Sequence, residues 1–343
     1  MRKLLNTLYI TTPEAYLSRD GDNIVVKIED KEVGRRPIHI IENIVCFNYT
    51  GMNGALIRLC AEHGVAISFM DKNGGFCGRF HGKTNGNVLL RRTKYRIADD
   101  KEQSLLIAKN MILAKLANSK KTLNRAIRDH KKELDITPLE SVICSLSTSI
   151  NSVQKAENED TLRGIEGDAA KRYFSVIDSL ILQQKEDFSF IERNKRPPLD
   201  PFNALLSYVY TILAIDCQNA LESVGLDSYV GFFHKDRPGR ASLGLDMMEE
   251  LRSYLGDRFV LSLINRKQIH KNDFHQKENG AVLLTDDGKK ILLAAWQKRK
   301  QDVVEHPYLK EKVEIGLIPY TQAMLMAGFL RGDFSAYPPF FVQ

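Results

Sequence analysis

The chain of 343 residues predicts an α+β protein: a small N-terminal β-sheet domain over residues 1–95, followed by a larger all-α domain over residues 96–343. Three observations carry this expectation. The length exceeds that of most single cores, so two domains are expected. Up to about residue 90 the chain consists of short runs rich in β-branched and aromatic side chains, separated by turn residues. From about Val88 onward the apolar residues recur at helical spacing instead.

The strand candidates are NTLYI, EAYLSR, NIVVKIE, NIVCFN and AISFMD, with DGDN, EDKE and DKNGG between them as turns. One helix, NGALIRLCAEHG (53–64), interrupts them and ends on a glycine cap. The helical half opens with the long amphipathic segment DDKEQSLLIAKNMILAKLANSKKTLNRAIRDHKK, then TPLESVICSLSTSINSV with a Thr-Pro start. A helix over 161–183, a basic Pro-rich connector ERNKRPPLDP (192–201), and a strongly apolar helix over 203–224 come next. The stretch near residue 242 and at least two further helices complete this half. The tail LRGDFSAYPPFFVQ carries too much Gly, Pro and aromatic content for a helix and reads as a packed extended strap.

With 43% hydrophobic and 27% charged residues, the composition is that of an ordinary folded chain rather than a disordered one. No run of about 18 apolar residues occurs, and MRKLLNTLYITTPEAYL has a polar break too early for a signal peptide. A cytoplasmic protein with no membrane partner is therefore expected. The cysteines Cys46, Cys60, Cys77, Cys144 and Cys217 are scattered and contain no C-x-x-C pair, which argues against a disulfide scaffold or zinc knuckle and for buried reduced thiols. A net charge of +6 permits a polyanionic partner without demanding one.

GRFHGKT (78–84) resembles a phosphate-binding loop but fails the pattern, having three residues between its glycines where four are required. Nucleotide binding is not expected there. The helix TLRGIEGDAAKRYFSVIDSLI (161–181) is more informative. At about 100° per residue, Glu166 falls within the stripe of Leu162, Ala169, Ala170, Tyr173, Phe174, Ile177 and Leu180. A carboxylate facing a core must be protonated, paired with an Arg or Lys of a neighbouring helix, or bound to a metal. The small residues Gly164, Gly167, Ala169 and Ala170 would let a backbone or ligand approach it.

The stretch HKDRPGRASLGLDMMEELR (234–252) poses the same choice. Leu243, Met247, Leu251 and Tyr254 cover one side of a helix capped by Ser242, and Asp246, Glu249, Glu250 and Ser253 the other. The acids alone describe a solvated face. His234, however, stands 12 residues before Asp246 and 15 before Glu249, a spacing that lets imidazole and acids converge. One histidine with two or three carboxylates suits Mn²⁺ or Mg²⁺ better than zinc, whose hydrolytic sites take more histidines. Lys235, Arg237 and Arg240 crowd the histidine, and a basic rim beside an acidic metal site fits phosphodiester chemistry. Further basic runs lie at RNKR (193–196), RK (266–267), KK (289–290) and KRK (298–300), each by itself a solvated face. His270 and His275 lack metal spacing and read as surface-loop histidines.

Together, EGDAAKRYF (166–174), GFFHKDRPGRASLGLDMMEELR (231–252), NRKQ (265–268), VLLTDDGKK (282–290) and the ending LRGDFSAYPPF resemble the CRISPR-associated adaptation integrase family, the Cas-one nucleases of antiviral defence. The resemblance covers nearly the whole chain, and the ending is closest to an I-C-like subtype. It implies a β-sheet domain that dimerises and a helical catalytic domain. It also implies a divalent metal on Glu166, His234 and Glu249, with Asp246 a further functional acid one turn earlier. Many members carry Asp at the second-acid position, which leaves Glu249 and its neighbour Glu250 both in play. The implied reaction is attack of a prespacer 3′-OH on a phosphodiester at the CRISPR leader-repeat, with double-stranded DNA held by Arg163, Lys235, Arg237 and Arg240. Nuclease activity on double- and single-stranded DNA is implied as well. The implied assembly is a heterohexamer of two homodimers around a small Cas-two dimer. The alternatives are a stand-alone nuclease for branched DNA and a non-enzymatic DNA-binding scaffold.

Overall fold

Residues 5–47, 50–71, 76–83 and 87–342 are described by the computed structural model of the protein. Asn48 at the end of NIVCFN, residues 72–75 of the DKNGG turn, and residues 84–86 after GRFHGK lie outside the described residues.

The first half runs β1 (Asn6–Ile10), β2 (Tyr16–Asp20), β3 (Asn23–Ile28), β4 (Lys31–Pro37), β5 (Ile41–Phe47), β6 (Gly51–Met52), α1 (Gly54–His63), β7 (Ala66–Met70) and β8 (Phe76–Phe80). These strands form two four-stranded sheets, β1-β5-β7-β8 and β4-β3-β2-β6. In the first, β5 pairs parallel with both β1 and β7, and β8 closes the edge antiparallel. The near-continuous apolar sequence of β5 follows, since a central parallel strand is covered on both faces. Leu17, Ile24, Ile44, Leu56, Cys60 and Ile67 are buried together as the core of this half. Helix α1 starts where the Asn53 side chain accepts from Leu56 N–H at 2.9 Å and stops at Gly64 with φ +68°. Gly78 sits inside β8 opposite Phe69, so the glycine of the false phosphate loop belongs to a strand.

The helical half comprises α2 (Val88–Asp99), α3 (Lys101–His130), α4 (Ile136–Lys155), α5 (Glu159–Ser175), α6 (Pro201–Ser223), α7 (Ser242–Leu251), a π-helical turn (Arg252–Asp257) and α8 (Arg258–Asn265). After them come α9 (Asp286–Lys300) and α10 (Ile318–Arg331). Asp100, Asp135, Asn158 and Asp200 cap α3 to α6 through side-chain oxygens. The helix expected over 161–183 is thus shorter, because α5 yields after Ser175 to a 3₁₀ turn at Ile177–Leu180. Helix α6 is long and apolar enough by composition to cross a membrane, but 72% of its apolar window is buried, as in a core helix.

The chain separates into two compact units: Met1–Gly86 with Asp286–Val303 and Glu314–Leu317, and Asn87–Thr285 with Val304–Val313 and Ile318–Gln343. A boundary at residue 95 would cut α2, and α9 falls with the sheets, so residues 96–343 are not one block. Trp296 on α9 is buried. The five thiols are free, with Cys46, Cys60 and Cys217 buried and Cys77 and Cys144 exposed, so only three match the buried reading. Burial pushes the Cys46 thiol up to about 12 and that of Cys60 to about 11.

Candidate metal centre

Helix α7 has no solvated face. Asp246, Glu249 and Glu250 are 0%, 3% and 0% exposed, as buried as Leu243 and Met247 on the other side. Ser242 is the first helical residue rather than the cap, and its hydroxyl donates to Lys235 O at 3.2 Å.

Four hydrogen bonds converge on Asp246. Its Oδ2 accepts from Phe232 N–H (2.6 Å) and Phe233 N–H (3.0 Å), and its Oδ1 accepts from His234 N–H (2.9 Å) and contacts His234 Nδ1 at 2.6 Å. This wrapping requires glycine at 231, because a Cβ there would lie 2.6 Å from Asp246 Oδ2 and 2.9 Å from the Ser242 backbone. Asp246 is therefore saturated and leaves no lone pair for a metal. Its effect is on the imidazole: with Nδ1 held, Nε2 faces Glu249 Oε1 at 3.7 Å, the arrangement in which a carboxylate orients a metal-binding histidine.

Glu166, on α5, is linked to Glu249 through a shared cation. Its Oε1 is bonded to the Lys115 ammonium of α3, whose Nζ also lies 2.7 Å from Glu249 Oε2. Of the three states open to Glu166, protonated, paired with a cation or metal-bound, the structure has it paired with a cation. Glu249 Oε1 is also paired with Arg252 at 3.0 Å. Burial pushes the Glu249 carboxyl up, but Arg252 and Lys115 outweigh it and hold it at about 2. Burial pulls the Lys115 ammonium down, and Glu249 and Glu166 outweigh that and raise it. A Cβ at Gly164 or Gly167 would meet nothing within 4 Å, so no neighbouring element packs against α5 at those positions.

Glu250 points elsewhere. Its carboxylate accepts from Gln322 Nε2 (2.9 Å), Tyr337 O–H (2.7 Å) and Phe340 N–H (2.7 Å), which ties α7 to the C-terminal strap. Of the two adjacent acids, Glu249 alone faces Glu166 and His234.

Among the described residues, no three His, Cys, Asp or Glu side chains already stand as a coordination shell. The donor set nevertheless suits a hard divalent ion in its chemistry: two carboxylates and one oriented imidazole nitrogen, with a cation, the Lys115 ammonium, already drawn to both carboxylates. A cleft of about 490 Å³ opens over these groups, lined by Arg163, Glu166, Phe233, His234, Lys235, Arg237 and Arg240. Arg163 is braced by Asp160, Glu159 and Phe233 O, and Lys235 lies 3.7 Å from Asp160. Partial burial and then Arg237 lower the Arg240 guanidinium, with Arg196 adding to the repulsion. The 193–196 run thereby acts on the cleft. Lys289 and Lys300 instead are buried in the sheet-containing unit, so those two runs are not wholly solvated faces. His270 is exposed, contacts Gln184 and Asp273, and is remote from the cluster in its bonding.

Lys115 and Arg252 were not singled out from the sequence. The available signal was that Lys115 sits on the buried stripe of α3 with Ser104, Ile107, Ala108, Met111, Asn118 and Thr122. A cation on a core stripe needs an anion as much as Glu166 needs a cation.

A β-sheet unit and a helical unit with a half-buried His–carboxylate cluster at a basic cleft define the class: an α+β protein equipped for polyanion chemistry. The chain belongs to the Cas1 family, since the family described as CRISPR associated protein Cas1 matches residues 8–298. It is 47% identical over 340 residues to CRISPR-associated endonuclease Cas1 1 of Chlorobaculum tepidum, covering 99% of each chain. It is 47% identical over 345 residues to CRISPR-associated endonuclease Cas1 2 of Rhodospirillum rubrum, again with 99% of each covered. The fold is shared with a casposase bound to integration product (TM-score 0.83, 22% identity, 97% and 93% of the two chains). It is also shared with a CAS1 protein from Thermotoga maritima (TM-score 0.80, 22% identity, 98% and 100%).

Proposed function

We propose that this chain is a metal-dependent CRISPR adaptation integrase and endonuclease, joining the 3′-OH of a prespacer DNA to a phosphodiester at the leader-repeat of a CRISPR array. The observation that carries this reading is that Glu249 stands 3.7 Å from His234 Nε2 and shares the Lys115 ammonium with Glu166, beside a cleft lined by Arg163, Lys235, Arg237 and Arg240. Family membership and relatives named endonucleases support the reaction class.

Glu166, Glu249 and His234 Nε2 would hold Mg²⁺ or Mn²⁺. When bound, the ion supplies Lewis-acid activation of the attacking hydroxyl and charge stabilisation on the phosphate. Asp246 fixes the imidazole with Nε2 toward the carboxylates. Arg163, Lys235, Arg237 and Arg240 hold the DNA backbone by its phosphates and carry no base readout. Double-stranded DNA, a second copy of this chain and a small Cas2 partner are the partners of this reading, arranged as a heterohexamer in the cytoplasm. One solved structure sharing the fold is a Cas6-RT-Cas1–Cas2 complex. The ending LRGDFSAYPPF supports assignment to an I-C-like subtype.

The test is a strand-transfer assay with a labelled short duplex and a repeat-containing plasmid. Metal-dependent joining supports the integrase, and cutting without joining leaves only the stand-alone nuclease.

A further inference from the structure

The charges around Glu249 are balanced one for one: Lys115 and Arg252 against Glu166 and Glu249. The two cations are not equivalent. Arg252 binds Glu249 Oε1 and stacks over the Tyr210 ring at 5.2 Å, which anchors it. Lys115 binds one oxygen of each acid, Glu166 Oε1 and Glu249 Oε2, through a flexible four-carbon stem. A divalent ion held by Glu166 and Glu249 would compete with the ammonium for these carboxylates. Two cations sharing one pair of carboxylate oxygens repel strongly, and a third and fourth positive charge would leave the cluster over-neutralised.

We infer that Lys115 is an internal competitor for the metal: its ammonium holds Glu166 and Glu249 together and must be displaced when the divalent ion enters. This makes Lys115 a positioning residue that sets the metal concentration at which the site loads. It rests on the reading of this cluster as a metal site.

Calorimetric titration of Mn²⁺ into the full-length protein tests it, comparing wild type with Lys115→Met and Lys115→Arg. Lys115→Met is expected to bind Mn²⁺ about tenfold more tightly or better, while Lys115→Arg, which retains a cation, stays close to wild type. Unchanged or weaker binding by Lys115→Met, with wild type binding normally, overturns the inference and leaves the metal site standing. Binding by none of the three overturns the metal site and the inference together. A wild-type crystal soaked in Mn²⁺ gives a second test independent of how the variant folds. The ammonium is expected off both carboxylates, and an ion ligated by Glu166 and Glu249 with Lys115 still bridging them overturns the inference.

Discussion

Three acids on two turns of α7 have three different fates, decided by what each meets. Asp246 is consumed by four donors from the Phe232–His234 segment, Glu249 faces Glu166 and His234, and Glu250 is bonded to the strap. Helical spacing places the three acids on one side of α7, but their partners lie far along the chain, Phe232 for Asp246, Lys115 for Glu249 and Phe340 for Glu250, which no local pattern contains. Because Asp246 holds the imidazole tautomer, Asp246→Asn should lower Mn²⁺ affinity and strand transfer by roughly 10- to 100-fold, the usual cost of losing such a partner. Calorimetry and the joining assay would read this, and wild-type values in both would remove Asp246 from the site. Residue type does not mark Lys115 out, because α3 also carries Lys101, Lys109, Lys120 and Lys121, and only its place on the core stripe sets it apart.

At the scale of elements, the strands legible in the sequence were those with an apolar face, such as β3 and β5. The KEVGRRP of β4 has no buried residue and pairs only at an edge, so burial left no mark on its pattern. Placement of α9 with the sheets was not legible, because helical periodicity reports a face to be covered and not by what. The strap was legible as non-helical, but its hold on α7 was not. That hold carries a pH dependence. Burial raises the Glu250 carboxyl from its ordinary 4.5 to about 7, against the donors from Phe340, Tyr337 and Gln322. The folded chain therefore keeps a proton that the unfolded chain releases near 4.5. The corresponding stability is present at low pH and lost as pH rises toward 7, about 3 kcal/mol over that window. Glu250→Gln, neutral throughout, should not lose it. Denaturant unfolding at pH 5 and pH 8 should show wild type losing ground to the variant at the higher pH; parallel behaviour would contradict the assignment. Burial likewise raises Asp257, bonded to Tyr173 and Tyr210, to about 6, a trend common to both proteins.

For the whole molecule, a net charge of +6 is modest, and its distribution is what matters. Lys235, Arg237 and Arg240 line one cleft, whereas Lys289 and Lys300 are buried in the other unit. Replacing Lys235, Arg237 and Arg240 together by alanine should weaken duplex DNA binding and reduce the slope of log affinity against log salt by ~2 to 3, one phosphate contact per residue. An unchanged slope would place the DNA elsewhere. The central claim is that Glu166, His234 and Glu249 form one metal-dependent joining centre. Its most direct measurement is strand transfer by Glu166→Gln and His234→Ala in Mn²⁺, with DNA binding measured on the same preparations. Abolished joining with retained DNA binding is the predicted result, and wild-type joining by either variant would contradict it.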